Sequence, residues 1–311
     1  MAGKKSGVVL ITGGTGLLGH ALVGTNRGRH EVVAVHLREH RVENARARYG
    51  RVDLRAREEV AHLFRQFDVD VVIHTAGIGV VDYVERHPGE AWEANVKTTA
   101  HIAEACEARG ARLVFISSNA VFDGTAAPYA EEAPTNPIHR YGAMKVECEK
   151  IVQGLGEACT IVRPILMYGW HLPCARMNPV TWLLGKLRGG EQVRLVTDVR
   201  ENPLSSRWCA EAVWALVEAE RSGIFHVAGR DTVSRYELGL AVAEIFSLDP
   251  EKIVPVGSPA FPELVLRPPN TSLSTEKLER ELGLRTLGLR EGLHGMSEQD
   301  PASGCRHPDG L

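Results

Sequence analysis

Tyr141-Gly142-Ala143-Met144-Lys145 sets a phenol and an ammonium one helical turn apart on a single face. A free phenol gives up its proton only near pH 10, too high for a proton relay at neutrality. An ammonium held beside it favours the phenolate and brings the group into range. The same spacing also describes a half-buried tyrosine beside a solvated lysine, so its surroundings decide. Ser117-Ser118 closes a predicted strand over residues 113–117. A hydroxyl at the carboxyl end of a buried strand can hydrogen-bond a substrate carbonyl, and a helix entering from the next loop brings Tyr141 beside it.

A second constellation lies near the start of the chain. The β-branched and aliphatic run Val8-Val9-Leu10-Ile11 reads as a buried parallel strand, followed by Thr12-Gly13-Gly14-Thr15-Gly16-Leu17-Leu18-Gly19. Gly14, Gly16 and Gly19 fit the dinucleotide pattern, and Gly13, Gly16 and Gly19 the related spacing of three. The first glycines permit a tight turn, Gly16 admits a pyrophosphate close to backbone, and Gly19 lets the helix lie against the strand. Gly13, Gly16, Gly19 and the first helical residues Leu17 and Leu18 are therefore expected to bind a nicotinamide dinucleotide. The second predicted strand, 31–37, runs into Arg38 where an NAD site would carry a carboxylate. The guanidinium fork of Arg38, with Arg41 behind it, suits a 2′-phosphate and favours NADP, with NAD left open by Glu39. Asp53 and Leu54 end a predicted third strand, 50–54, where Asp can accept from the adenine amino group and Leu can pack its ring.

The elements that position these groups alternate strand and helix through the first half: further strands at 69–75 and 159–162, helices at 58–67, 92–109 and 141–155. This predicts an α/β fold, a Rossmann-type doubly wound parallel sheet. Residues 166–204 mix Pro, Gly, Trp and Arg, as expected of a segment that wraps a ligand. Helices follow at 210–220, 235–246 and 275–282, with a strand at 223–228. The expected division is a nucleotide-binding domain over 1–165 with 205–230 returning to it, and a smaller substrate-binding region of 166–204 and 231–295. Residues 296–311 read as a loose polar tail.

With 311 residues, 44% hydrophobic and 24% charged, the chain is long enough for a sizeable core and ordinary for a globular protein. Its net charge of −3 lends no support to nucleic acid or an anionic membrane as partner. Lys4 and Lys5 precede an apolar run too brief for a signal-peptide core or a membrane span. Six cysteines without a C-x-x-C pair read as reduced structural thiols of a cytoplasmic protein. His171 and Cys174 lack two further ligands at metal-site spacing, so no metal is expected.

Together with Ser117-Ser118-Asn119-Ala120-Val121-Phe122-Asp123-Gly124, Gly223-Ile224-Phe225-His226 and Arg267-Pro268-Pro269-Asn270-Thr271-Ser272-Leu273, these motifs resemble the extended short-chain dehydrogenase/reductases. Within them the chain is most similar to dTDP-4-dehydrorhamnose reductases and to the regulatory beta subunits of methionine adenosyltransferase. The resemblance implies that Ser118 polarises a carbonyl, Tyr141 donates the proton, and Lys145 holds the coenzyme ribose. Hydride would pass to a ketone, C4 of a 6-deoxy-4-keto nucleotide sugar. Ala76 and Gly77 would line the coenzyme cleft, and Arg163-Pro164 would follow the active-site helix. Asn119, Ala120, Leu166, Arg176, Asn178 and Arg267 would meet the substrate, with His171 and Cys174 in the same cavity. Two departures bear on which sugar is bound: Asn119-Ala120 replaces the usual Asp-Tyr, and Ile165-Leu166-Met167 lacks the usual Trp. The resemblance also implies a possible homodimer, with helices 92–109 and 141–155 at the seam. A regulatory subunit that docks on another enzyme, or a nucleotide-sugar epimerase or dehydratase, are the competing expectations. Asn119-Ala120 does not supply the acidic pair of a dehydratase, and 296–311 holds no aromatic residue to plug into a partner.

Overall fold

The computed structural model describes residues 7–37 and 46–300. The strands in chain order are β1 Val8–Thr12, β2 Glu31–His36, β3 Arg48–Arg51, β4 Val69–His74, β5 Arg112–Ile116, β6 Cys159–Pro164, β7 Met167–Tyr168, β8 Val193–Val196, β9 Arg200–Glu201, β10 Leu204–Ser205, β11 Gly223–Val227, β12 Val233–Ser234 and β13 Ile253–Val256. The helices are α1 Leu17–Thr25, α2 Arg57–Gln66, α3 Val81–Arg86, α4 Pro88–Trp92, α5 Thr98–Arg109, α6 Arg140–Gln153, α7 Pro179–Arg188, α8 Ser206–Glu218, α9 Arg235–Ile245, α10 Glu276–Leu282 and α11 Leu289–Ser297.

Seven strands form one parallel sheet in the order β11-β6-β5-β4-β1-β2-β3. The chain builds outward from β1 on one side, returns, and continues from β4 on the other. The switch between β1 and β4 opens a crevice at the carboxyl edge. Both sheet faces are covered, so all five residues of β1 are buried. Val9 and Ile11 face a core with Leu18 and Leu22 of α1 and Val213 and Trp214 of α8. Val8 and Leu10 face the opposite core, with Leu63 of α2, Ile102 of α5 and Met144 and Cys148 of α6. Each fully buried aliphatic side chain contributes about 1.5–3 kcal/mol relative to an exposed one. A third core gathers α7, α9 and α11 around Val193 of β8 and Ile253 of β13.

Several expectations shift against this architecture. The third strand ends at Arg51 rather than Leu54, because Asp53 opens a turn: its carboxylate and carbonyl accept from the amides of Arg55 and Ala56. The expected helix over 92–109 is interrupted by a widened π turn, Glu93–Lys97, that carries the buried Asn95. Residues 166–204 are more regular than their composition implied, since Asn178 caps α7 with a reciprocal capping box to Thr181. The tail is not loose from Met296: that residue is buried, Trp170 Nε1 donates to its carbonyl at 2.9 Å, and Asp300 pairs with Arg188. Residues 301–311 lie outside the described residues, as does Arg38 with its neighbours Glu39 and Arg41.

Candidate active site

The site is assembled where three loops meet at the carboxyl edge of the sheet. After β1 the backbone turns through Gly13 at φ +69°. A Cβ there would lie 2.8 Å from Thr75 Oγ1 and 2.9 Å from the Ala76 amide, so only glycine lets this turn lie against the end of β4. A Cβ on Gly19 would lie 2.3 Å from the Gly13 carbonyl, and its absence lets α1 start directly beneath the turn. The result is a Cβ-free cradle under a helix N-terminus, which fits a dinucleotide pyrophosphate. Beneath it, the fully buried His74 bridges Thr12 Oγ1 at 2.7 Å and Thr99 Oγ1 at 3.2 Å. Burial, with the Lys145 cation adding to it, pulls His74 down to about 3 and keeps it neutral.

The end of β4 continues through Ala76 and Gly77 into a loop fixed from below by Asn95. Its side-chain oxygen accepts from the Ile78 amide at 2.8 Å and its nitrogen donates to the Ile78 carbonyl at 3.2 Å. A Cβ on Gly79 would come within 3.7 Å of Tyr141 Oη, so the tyrosine hydroxyl faces this loop. Lys145 is buried, donates to the Ile116 carbonyl at 2.8 Å, and lies 5.9 Å from the Tyr141 ring centroid. Ser118, two residues beyond Ile116, accepts from the Ala120 amide at 3.1 Å and donates to Asn119 Oδ1 at 3.3 Å. Gly142 sets the spacing between these groups, because a Cβ on it would stand 2.0 Å from the Ala120 carbonyl. The first turn of α6 thus rests on the turn holding Ser118, while Tyr141 of that helix faces the 76–79 loop and Lys145 reaches the end of β5.

The remaining expected residues divide. Leu54 is buried in the core against α5, its carbonyl bonded by His101 Nδ1 at 3.0 Å. The Asp53 carboxylate is clasped by the Arg55 guanidinium at 2.7 Å, which holds it below the usual range. Asn119 Nδ2 donates to Thr271 Oγ1 at 2.7 Å and reaches Glu201 Oε1 at 3.3 Å, so it ties the site to β9 and the segment after Arg267. Ala120 is buried and Leu166 half-buried. Asn178 spends its amide on the α7 cap and on the Gly169 carbonyl at 2.7 Å, while Arg176 is exposed on the preceding loop. Arg267 pairs with Asp82 of α3, and the Val265 amide donates to the same carboxylate at 2.8 Å. Asn95, Asp82 and His139 were not anticipated. His139 caps α6 by accepting from the Gly142 amide at 3.1 Å, and no local pattern announces a histidine in that role.

The match to known proteins follows the same outline. The model of the RmlD substrate binding domain family covers residues 7–300, and the chain belongs to that family. Methionine adenosyltransferase 2 subunit beta from Bos taurus is 32% identical over 299 residues, spanning 92% of this chain and 86% of that protein. A hypothetical dTDP-4-dehydrorhamnose reductase from Sulfolobus tokodaii superposes with a TM-score of 0.79 at 29% identity, over 90% of this chain and 97% of its own. The dTDP-4-dehydrorhamnose reductase from Bacillus anthracis, solved in complex with NADP, has the same fold, with a TM-score of 0.83 at 22% identity over 95% and 100% of the two chains.

Proposed function

We propose that this member of the RmlD substrate binding domain family is an NADP-dependent oxidoreductase that reduces the ketone of a 4-keto-6-deoxy nucleotide sugar. The observation that supports the reading is the packing of α6, with Tyr141 and Lys145, onto the turn holding Ser118 and the end of β5, at the same sheet edge as the turn of Gly13, Gly16 and Gly19. In this reading the turn and the first residues of α1, Leu17 and Leu18, hold the coenzyme pyrophosphate, Ala76 and Gly77 line its cleft, and Arg38 takes the 2′-phosphate. NADPH, when bound, supplies the hydride. Ser118 hydrogen-bonds the substrate carbonyl, Tyr141 gives its proton to the oxygen as the alcohol forms, and Lys145 holds the ribose. Asn119, Ala120, Leu166, Arg176 and Arg267 face or close over the sugar nucleotide, within a substrate region of 166–204 and 231–295.

Loss of NADPH absorbance with a panel of 4-keto-6-deoxy nucleotide sugars, made in situ by a dehydratase, tests the reading. Turnover with at least one, faster with NADPH than with NADH, is expected; coenzyme binding without turnover of any would overturn it. That second outcome, joined to co-elution with a methionine adenosyltransferase, would favour a regulatory subunit, the reading that the 32% identical relatives support. A homodimer belongs to the proposal. A groove of about 620 Å³ lies between α4 and α6, with Trp92 43% exposed along it, on two of the segments expected at the seam. Sedimentation as a monomer at micromolar concentration would refute that part. The buried thiols Cys106, Cys148, Cys159 and Cys209 are free, in keeping with a cytoplasmic enzyme. Among the described residues no helix is long and apolar enough to cross a membrane.

A further inference from the structure

Behind the proposed catalytic groups lies an ion pair that the chemistry does not itself require. Glu149 of α6 and Arg163 of β6 have side chains only 5% and 3% exposed, joined by two hydrogen bonds of 2.9 and 2.7 Å. Buried apolar residues flank the pair in the chain, Cys148 and Val152 on the helix and Ile161 and Val162 on the strand, and its polar neighbours Ser117, Glu131 and His226 are buried as well. Removing two charges from water costs nearly as much as their attraction returns, so such a pair adds little net stability. What it supplies is direction, since two parallel bonds fix both the distance and the rotation of their partners.

Its placement gives that direction a use. Glu149 stands one turn beyond Lys145 and two beyond Tyr141 on the same helix. Ser117 Oγ donates to Glu149 Oε1, and Lys145 Nζ donates to the carbonyl of Ile116. Helix α6 is therefore registered on consecutive residues, 116 and 117, immediately before Ser118. On its other side Arg163 Nη1 reaches the Glu131 carbonyl at 3.4 Å and His226 Nε2 at 3.5 Å. Glu131 accepts from the His226 amide at 2.9 Å, and His226 Nδ1 bonds the Tyr129 carbonyl at 3.1 Å. Tyr129 in turn pairs through its backbone with Ser272 and Ser274, just past Arg267.

We propose that Glu149 and Arg163 are positioning residues, which hold α6 in the one register that presents Tyr141 and Lys145 to Ser118 and couple it to the segment bearing Arg267. The proposal rests on the reductase reading of the site. It extends that reading to two side chains that touch neither coenzyme nor substrate.

Glu149→Gln alone would leave a buried unpaired guanidinium and could unfold the protein. The informative variant is the double substitution Glu149→Gln with Arg163→Met, which removes both charges and keeps the volume. Its thermal midpoint and its NADPH affinity are expected to lie near those of the wild type. Its kcat is expected to fall about tenfold or more, with KM changed less than threefold, as a misplaced acid predicts. Ser117→Ala, a milder loss of one bond to Glu149, should lower kcat severalfold with the same KM split, and serves if the double variant does not fold. Wild-type kcat in the folded variants, or a loss that tracks melting temperature alone, would overturn the placement and leave the reductase reading standing. Should the wild type bind NADPH yet reduce nothing, the reductase reading fails instead. Register is then read from amide exchange: at least about tenfold faster across Arg140–Gln153 in the double variant with α5 unchanged supports the placement, and unchanged exchange refutes it.

Discussion

The two walls of the cleft are made differently. On the proposed coenzyme side, the Gly13 turn and α1 are backbone lying on backbone, with missing Cβ atoms setting the spacing, and the 76–79 loop is held by the buried Asn95. On the opposite side, distant segments are joined by side chains: Arg267 to Asp82, Arg235 to Glu201, and Asn119 to Thr271. Backbone contacts of the first kind cannot rearrange without unpacking the sheet. Partly exposed ion pairs of the second kind are worth about 0–1 kcal/mol and can be exchanged for a ligand's charges. The first wall is suited to one invariant ligand and the second to a ligand that must enter, be closed over, and leave.

Substitutions can break that contrast, the largest effect coming where the walls meet. Tyr141→Phe should lower turnover at least about a hundredfold, the scale of a lost general acid, while NADPH titrated by fluorescence binds as before. An equal loss of coenzyme affinity would mean that the tyrosine belongs to the rigid wall instead. Gly19→Ala pushes a methyl into the Gly13 carbonyl, and overpacking of this kind costs about 1–3 kcal/mol. NADPH affinity should fall roughly tenfold to hundredfold, with kcat at saturating coenzyme nearly kept. An unaffected dissociation constant would show the turn to be pliable.

Acid probes both walls at once, because His74 lies beneath the first and His226 beneath the second. Burial holds each at about 3 when folded, against 6.5 when unfolded. Below pH 6.5 the unfolded chain takes up protons that the folded chain refuses, so stability falls with pH from about 6.5 towards 3. Between pH 7 and 5 the loss should be on the order of 2 kcal/mol per histidine, measured by urea unfolding. His74→Gln and His226→Gln should each flatten that slope, to which His20 and His139, also lowered by burial, contribute the same way, and a slope untouched by either would refute the assignment. Asp82→Asn is the gentlest test. Releasing Arg267 should lower KM for the nucleotide sugar about threefold without moving NADPH affinity or the melting temperature; a raised KM would make Asp82 part of the binding surface.

The same contrast explains what could be read from the chain. The glycine turn and the Tyr141–Lys145 pair are local, spelled within a dozen residues, and the parallel sheet follows from the alternation of apolar runs with amphipathic helices. Asp82 and Arg267 are 185 positions apart, and nothing near either one names the other. Asn178 carried an expectation of substrate contact but is spent on a helix cap, because a cap depends on where α7 begins, which the irregular composition of 166–204 concealed. Asn95 sits in a π turn that a helical periodicity cannot register. Glu149 was the exception that could have been found: an acid one turn past Lys145, on a face of α6 otherwise lined by Met144, Cys148 and Val152.

Gly142 has a consequence for anyone who would redesign this enzyme. With the Ala120 carbonyl filling the space its side chain would occupy, the 119–121 turn and the start of α6 form a single interlocking part. New specificity cannot be grafted by swapping that turn alone; a donor loop has to arrive with its own helix start, or the acid and the hydroxyl drift out of step.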